Sequence, residues 1–209
     1  MKPPRVPAAT ISRLSLYARS LEELKNNNVE VISSDKLAEI CRVNPAQVRK
    51  DLAYFGEFGI RGVGYYVNEL IFEVRQILGL NRTWNLALVG MGNLGSALIR
   101  YGNFAKRGYI FVAVFDADPH KIGTELSPGL KVYPPGEIIQ VCRDLKVDIG
   151  VVATPAAQAE NMARELVRVP IRAILNFAPV QIEGCHNCMI ENVDFSVKLD
   201  NLAYHLTSR

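Results

Sequence analysis

Histidine and cysteine are scarce in this chain, and both shortages are informative. Three histidines serve 209 residues, at positions 120, 186 and 205. His120 is expected just beyond a strand end, His186 in a late loop and His205 close to the C-terminus. None has an evident place as the proton donor that a nicotinamide-dependent dehydrogenase needs, so an enzyme is not expected. The four cysteines, Cys41, Cys142, Cys185 and Cys188, are too few for a disulfide framework in a chain of this length, and a reducing cytosol is the expected compartment. Cys185-His186-Asn187-Cys188 offers two thiols and one imidazole without a second pair at finger spacing. No metal site is therefore expected, and the segment reads as a loop with two incidental thiols. No apolar run approaches the ~18 residues that would span a bilayer, so no membrane partner is expected. Met1–Ala9 carries Lys2, Arg5 and three prolines with no apolar stretch behind them, which does not read as a secretory signal.

Net charge is low, +3, but it is unevenly placed. Residues 1–56 hold nine Lys/Arg against six Asp/Glu, while the rest of the chain is balanced. The basic excess lies in the first quarter, which permits a nucleic-acid face there.

What the sequence does contain falls into two grammars. Ile11, Leu14, Tyr17, Ala18, Leu21 and Leu24 make one apolar helical stripe from Thr10 to Lys25, closed by three asparagines. A short helix is expected from Ser34, burying Leu37, Ala38, Ile40 and Cys41. Val43-Asn44-Pro45 then opens a third helix, because Asn caps and Pro suits the first turn. Two short helices across a tight turn form a helix-turn-helix. The stretch from Gly56 to Val67 alternates glycine with aromatic and β-branched residues, and a small hairpin, a wing, is expected there. A fourth helix, capped by Asn68, ends at Gly79.

From Trp84 strands and helices alternate. Strands are expected at Leu86–Val89, Ile110–Phe115, Val132–Tyr133, Ile149–Ala153, Ile171–Leu175 and Met189–Val193. Helices are expected at Leu94–Lys106, Pro135–Leu145 and Gln158–Arg168, and Asp194 caps a terminal helix. The expected fold is α/β: an N-terminal winged helix-turn-helix domain (1–80), a C-terminal Rossmann domain with a doubly wound parallel sheet (81–193), and a terminal helix (194–209).

The most specific motif is Gly90-Met91-Gly92-Asn93-Leu94-Gly95. It follows a strand, opens a helix, and has an acidic residue, Asp116, at the end of the next strand. Gly90 makes the tight turn, Gly92 lets backbone approach a pyrophosphate, and Gly95 lets helix pack on strand. Asp116 accepts from a ribose 2′-hydroxyl and repels a 2′-phosphate, favouring NAD over NADP. Candidate cofactor contacts also include Asn93, Leu94, Thr154 and Pro155. A glycine-rich turn with no ligand is the bland alternative. The candidate DNA-reading set is Gln47, Arg49 and Lys50 on the third helix, off its Val48–Leu52 stripe together with Asp51, with Arg61 in the wing and Arg13 on the first helix. Read singly, each is an ordinary solvated charge, and a helix-turn-helix used only for dimerisation remains open.

Taken together, NPAQVRKDLAYFGEFGIRGVGY, LVGMGNLGSAL, VFDADPHKIG and ENVDF resemble Rex, the bacterial redox-sensing transcriptional repressor family, over nearly the whole chain. The resemblance implies a homodimer with a terminal helix swapped onto the partner. It implies NAD and NADH as effector ligands, and palindromic operator DNA that is held when NAD⁺ dominates and released when NADH rises. Arg49 and Lys50 fall at the family's recognition-helix contacts and Arg61 at its wing contact. Gly90, Gly92, Gly95 and Asp116 fall at its cofactor site. Arg19, Tyr101 and Asp194 match its sensing network, Asp194 coming from the other subunit, and Phe195 enters the partner's nicotinamide region. Two other readings stand beside this one: a regulator sensing another nucleotide such as coenzyme A, and an NAD-dependent dehydrogenase.

Overall fold

In the structure, a computed structural model that describes residues 6–184 and 187–207, the chain divides into two compact units, Met1–Arg82 and Thr83–Arg209.

The first unit is built from α1 (Ala8–Asn26), β1 (Val31–Ile32), α2 (Ser34–Cys41), α3 (Pro45–Ala53), β2 (Tyr65–Tyr66) and α4 (Val67–Ile77). The caps of α2 and α3 are the ones the sequence announces. Ser33 Oγ accepts from the Lys36 N–H, and Asn44 Oδ1 accepts from the Ala46 N–H with Pro45 in the first turn. Asn28 ends α1 in the left-handed region at φ 59°. Leu14, Tyr17, Leu21, Leu37, Val48, Leu52, Leu70 and Val74 pack into one core. At about 1.5–3 kcal/mol for each large apolar side chain buried, this cluster holds three short helices that would not persist alone.

The wing differs from the expected hairpin. Its strand pairs with a segment thirty-odd residues earlier: Val31 faces Tyr66 and Ile32 faces Tyr65 in an antiparallel ladder. What remains between Gly56 and Gly64 is a tight turn closed by a single bridge, Ile60 to Gly64. The glycines explain this. At Gly59 a Cβ would meet Gly64 O at 2.5 Å, so the two arms lie too close for a side chain there. The fourth helix begins directly from the strand at Val67, with Tyr66 as its N-cap and no side-chain cap, so Asn68 lies inside the helix.

The second unit is a seven-stranded sheet in the order β5-β6-β4-β3-β7-β8-β9, comprising β3 (Trp84–Val89), β4 (Tyr109–Phe115), β5 (Glu125–Ser127), β6 (Leu130–Tyr133), β7 (Ile149–Val152), β8 (Ala173–Asn176) and β9 (Met189–Asn192). All its pairings are parallel except β5 with β6. Strand order reverses across β3, whose neighbours are β4 and β7, so the crevice above their carboxyl ends is the place where this topology seats ligands. Side chains alternate along β3. Ala87 and Val89 join Phe115, Ile138, Ala159 and Leu166 on one face, and Leu86 and Leu88 join Val114, Val132 and Val151 on the other. The helices are α5 (Asn93–Arg100), α6 (Asn103–Lys106), α7 (Ile138–Asp144), α8 (Ala156–Val167) and α9 (Phe195–Thr207).

Three departures from the sequence reading follow from local physics. The helix expected over Leu94–Lys106 breaks at Tyr101-Gly102 into α5 and α6. An extra edge strand, β5, pairs with β6 through a turn at Gly129, which has φ +82°. Residues 135–137 form a 3₁₀ turn ahead of α7, which begins at Ile138. Among the described residues no helix is long and apolar enough to cross a membrane, and no cluster of three potential metal ligands occurs. Cys185 and His186 lie outside the described residues; Cys188 is buried in the sheet-side core.

Candidate functional site

The glycine-rich turn lies at the topological switch point, and each glycine is needed for a different reason. Gly90 ends β3 with φ +95°, and a Cβ there would strike Ala153 O at 2.7 Å and Thr154 Cγ2 at 2.9 Å. The ends of β3 and β7 thus close on one another. A Cβ on Gly95 would lie 2.0 Å from Gly90 O, which is why α5 can sit against the turn only without one. Gly92 is the opposite case: nothing lies within 4 Å of where its Cβ would be. The space above Gly92 is free, at the N-cap of the eight-residue helix α5. The first N–H groups of that helix have no intrahelical acceptor and carry its positive dipole end. Asn93 and Leu94 are exposed beside it.

Opposite the turn stands Thr154, after β7. Its Oγ1 is buried with no hydrogen-bond partner among the described residues. A buried hydroxyl left unsatisfied costs ~1–3 kcal/mol, and such groups are ordinarily paired by protein, water or ligand. Pro155, exposed, leads into α8. Free space at Gly92 beside the exposed N-terminus of α5 suits a dinucleotide pyrophosphate, so the residues present fit the group that the motif implies.

Asp116, at the end of β4, is held by its own surroundings. Its carboxylate accepts from the Met91 N–H at 2.7 Å and the Asp118 N–H at 2.9 Å, and Lys121 Nζ lies 3.4 Å from both oxygens. Burial pushes the carboxyl up, but the Asp118 and Met91 N–H groups and the Lys121 ammonium outweigh burial, and the group titrates below the usual carboxylate range. Lys121 also donates to Met91 O at 3.1 Å. The charged clamp therefore fixes the glycine turn to the strand end that carries Asp116. Lys121, which the sequence reading passed over, lies five residues after Asp116 in the turn that follows β4.

Tyr101 lies in the break between α5 and α6. It is 54% exposed, its hydroxyl accepts from Asn103 Nδ2 at 2.9 Å, and its ring meets Phe104 edge-on. Asp194 Oδ1 accepts from the Ser196 N–H at 2.8 Å, which starts α9 as expected. Phe195 stacks on Phe177 with ring centres 6.3 Å apart. Phe177 follows a second device absent from the sequence reading. Asn176 and Asn192 are register partners on β8 and β9, and Asn176 Nδ2 donates to Asn192 Oδ1 at 2.8 Å. Asn176 is fully buried and also binds Val180 O and the Ala178 N–H, while Asn192 binds both backbone groups of Ile182. The two amides tie down the loop that carries Phe177. Polar residues at two adjacent strand ends were the signal available.

In the first unit, Arg49, Lys50 and Arg61 are exposed. Arg49 and Arg61 line one groove of about 700 Å³ between α2, α3 and the wing turn, and Arg49 Nη1 donates to Ser34 Oγ at 2.6 Å. Arg19 is exposed on α1. Arg13 and Gln47 are placed differently: both donate to Asp51, which the helical spacing put among the outward residues and which is in fact fully buried. Five residues of period cannot show that α1 packs over that side of α3.

A winged helix with a basic reading helix, joined to a Rossmann unit with an open dinucleotide turn, defines a DNA-binding regulator that senses a nucleotide. Residues 5–53 match the family described as "Putative DNA-binding protein N-terminus", and residues 81–180 match the "CoA binding domain" family. The redox-sensing transcriptional repressor Rex of Syntrophobacter fumaroxidans is 58% identical over 207 residues, covering 99% of both chains. The Rex protein of Maridesulfovibrio salexigens is 49% identical, over 100% of this chain and 99% of that one. Among solved structures, RSP in complex with β-NAD⁺ and operator DNA superimposes with a TM-score of 0.93 at 38% identity, covering 98% of this chain and 94% of that one. RSP with β-NADH gives 0.87 at 36% identity, covering 97% and 95%. The chain belongs to the Rex family of redox-sensing transcriptional repressors. The relatives are named for a repressor's role, not an enzyme's, despite the dehydrogenase-like sheet.

Proposed function

We propose that this chain represses transcription by holding operator DNA as a homodimer, and lets go when NADH replaces NAD⁺ in its Rossmann unit. The observation that carries the reading is the space left free at Gly92, at the N-terminus of α5 and at the switch point of the sheet, with Asp116 at the end of the neighbouring strand. Gly92, Asn93 and Leu94 hold the pyrophosphate on backbone N–H groups, Thr154 adds a side-chain donor, and Asp116 accepts from the adenosine ribose.

The redox response follows from one charge. The nicotinamide ring is cationic when oxidised and neutral when reduced. An apolar cover costs a cation its hydration, whereas a neutral ring enters it at little expense. Tyr101, Phe177 and Phe195 supply such a cover, and Phe195 and Tyr101 are exposed in the single chain, 58% and 54%. In the homodimer Phe195 of one subunit serves the nicotinamide region of the other, and Arg19 and Tyr101 exchange contacts with Asp194 of the partner subunit. Support for a second copy comes from α9. No residue of this helix is buried, although it carries Phe195, Val197, Leu199, Leu202, Tyr204 and Leu206. An apolar helix needs a cover, and a terminal helix exchanged with an identical chain provides it twice over.

Operator contacts come from Arg49, Lys50 and Gln47 on α3 and from Arg61 at the wing turn. Binding of a selected operator duplex is to be measured across NADH/NAD⁺ ratios at fixed salt, with coenzyme A and NADPH as competitors. Release with rising NADH is the expected result. Operator affinity independent of the ratio refutes the reading, and release by coenzyme A alone points to the other nucleotide. Coupling of this kind is about 1–3 kcal/mol and is reciprocal, so operator DNA must weaken NADH binding by the same factor.

A further inference from the structure

We propose that Asp51 is the positioning residue of the DNA-reading helix: it latches α3 to α1 and turns the Gln47 amide so that its outward edge reads an adenine. The inference rests on the operator-reading part of the proposal above. It also gives Arg13 a role other than phosphate contact.

Asp51 has no solvent exposure. Its two oxygens collect five hydrogen bonds from four side chains. Oδ1 accepts from Thr10 Oγ1 at 3.0 Å, Arg13 Nη2 at 2.7 Å and Gln47 Nε2 at 2.8 Å; Oδ2 accepts from Arg13 Nε at 2.5 Å and Tyr17 Oη at 2.9 Å. Thr10, Arg13 and Tyr17 lie on one face of α1, at three- and four-residue steps, so the carboxylate joins one helix to three positions of another. The Arg13 fork is bidentate, a geometry that fixes orientation as well as distance. It spends Nε and Nη2 on the carboxylate, and Nη2 lies also 3.3 Å from Thr10 Oγ1.

The consequence for reading is stereochemical. An ionised carboxylate accepts and cannot donate. Gln47 must therefore turn its nitrogen inward and its oxygen outward. At 100° per residue Gln47 sits between Asp51 and Lys50 around α3, and it is the third residue of the helix, where recognition helices meet base edges. One amide proton goes to Asp51. The acceptor oxygen and the other proton remain, side by side, and that pair matches N6 and N7 of adenine in the major groove. Without Asp51 the amide could flip and the preference would be lost.

The full chain is used to select duplexes from a randomised pool, and binding to the selected duplex is followed by fluorescence anisotropy over a range of salt. Asp51→Asn and Gln47→Ala are expected to lose preference at the same A·T position, with Asp51→Asn weakening binding about tenfold and leaving NADH affinity native. Arg13→Ala is expected to weaken binding with the slope of log K against log salt unchanged, because no phosphate contact is removed. The latch is overturned if Asp51→Asn keeps native base preference, or if Arg13→Ala lowers the salt slope by about one, as loss of a phosphate contact would. Should Asp51→Asn fail to fold, Gln47→Ala leaves Thr10, Arg13 and Tyr17 on the carboxylate, and native base preference at every position in that variant overturns the proposal equally. Arg49→Ala separates the two levels of argument: if it binds the selected duplex like the native chain, the operator-reading assignment itself falls.

Discussion

Two glycines three residues apart in the dinucleotide turn should respond to the same substitution in opposite ways. At Gly95 an added Cβ lies 2.0 Å from Gly90 O, where ordinary contact begins at 3.4 Å. The obstacle is backbone, so α5 must retreat by roughly 1.4 Å from a packed sheet, and relief through a side-chain rotamer is not available. Overpacking of that kind costs ~2–3 kcal/mol and should lower the melting temperature of the C-terminal unit by roughly 10 °C. At Gly92 the same methyl meets nothing within 4 Å, and the backbone, at φ −75°, is one that alanine adopts. Gly92→Ala should leave stability within ~1 kcal/mol, the cost of a poorer N-cap. It places its methyl where the pyrophosphate must approach, and NADH affinity should fall at least about tenfold, ~1.4 kcal/mol. Calorimetry of the ligand-free protein separates the two variants, and NADH titration by fluorescence completes the test. Early melting of Gly92→Ala, or native NADH affinity in it, refutes the assignment of the free space above Gly92. A native melting temperature for Gly95→Ala refutes the close approach of helix and turn.

Thr154→Val removes the unsatisfied buried hydroxyl and keeps the shape, so the ligand-free protein should melt higher, by about 1 kcal/mol of stability, while NADH affinity drops; lower stability without ligand contradicts the orphan assignment. Asp116→Ala should narrow the preference for NADH over NADPH, read from competitive titrations, and should loosen the turn because Met91 N–H loses its acceptor; an unchanged ratio excludes Asp116 from the ribose site. Burial pushes the Asp51 carboxyl up, yet Arg13, Gln47, Tyr17 and Thr10 overcome it and bring the group from 3.8 down to about 2. A depressed folded-state value means stability that is present above pH ~4 and lost as pH falls through about 2, worth ~2 kcal/mol. Urea unfolding at several pH values between 4 and 2 should show a flatter acid limb for Asp51→Asn than for the native chain, and parallel limbs contradict the pairing.

The division between what the sequence announced and what it withheld follows sequence distance. Caps, turns and the dinucleotide motif are contacts within a few residues: Ser33 with Lys36, Asn44 with Ala46, Gly90 with Gly95. Side-chain chemistry decides them locally, and the residues that do so stand next to one another in the chain. Most of the helix stripes and buried strands were legible for the same reason, because period marks the covered side, but Ile11 and Ile40, expected on those stripes, are exposed at their margins. The wing was misread where its partner was remote. Tyr65 and Tyr66 look like half of a local hairpin, and only the pairing with Val31 and Ile32 removes that option. Asp51 is the sharper case. Thr10, Arg13 and Tyr17 reach it across 34 to 41 residues, and nothing in the local pattern of α3 distinguishes a carboxylate facing water from one facing another helix. A polar residue beside an apolar stripe is therefore ambiguous until its neighbours in space are known. A fully buried carboxylate must be paired to be tolerated, so its donors are the residues whose loss it will not forgive. That constraint makes Arg13, which looks from the sequence like one more basic residue, part of what holds α3 in place, and under the proposed reading it puts the determinant of base preference one layer beneath the surface that meets the groove.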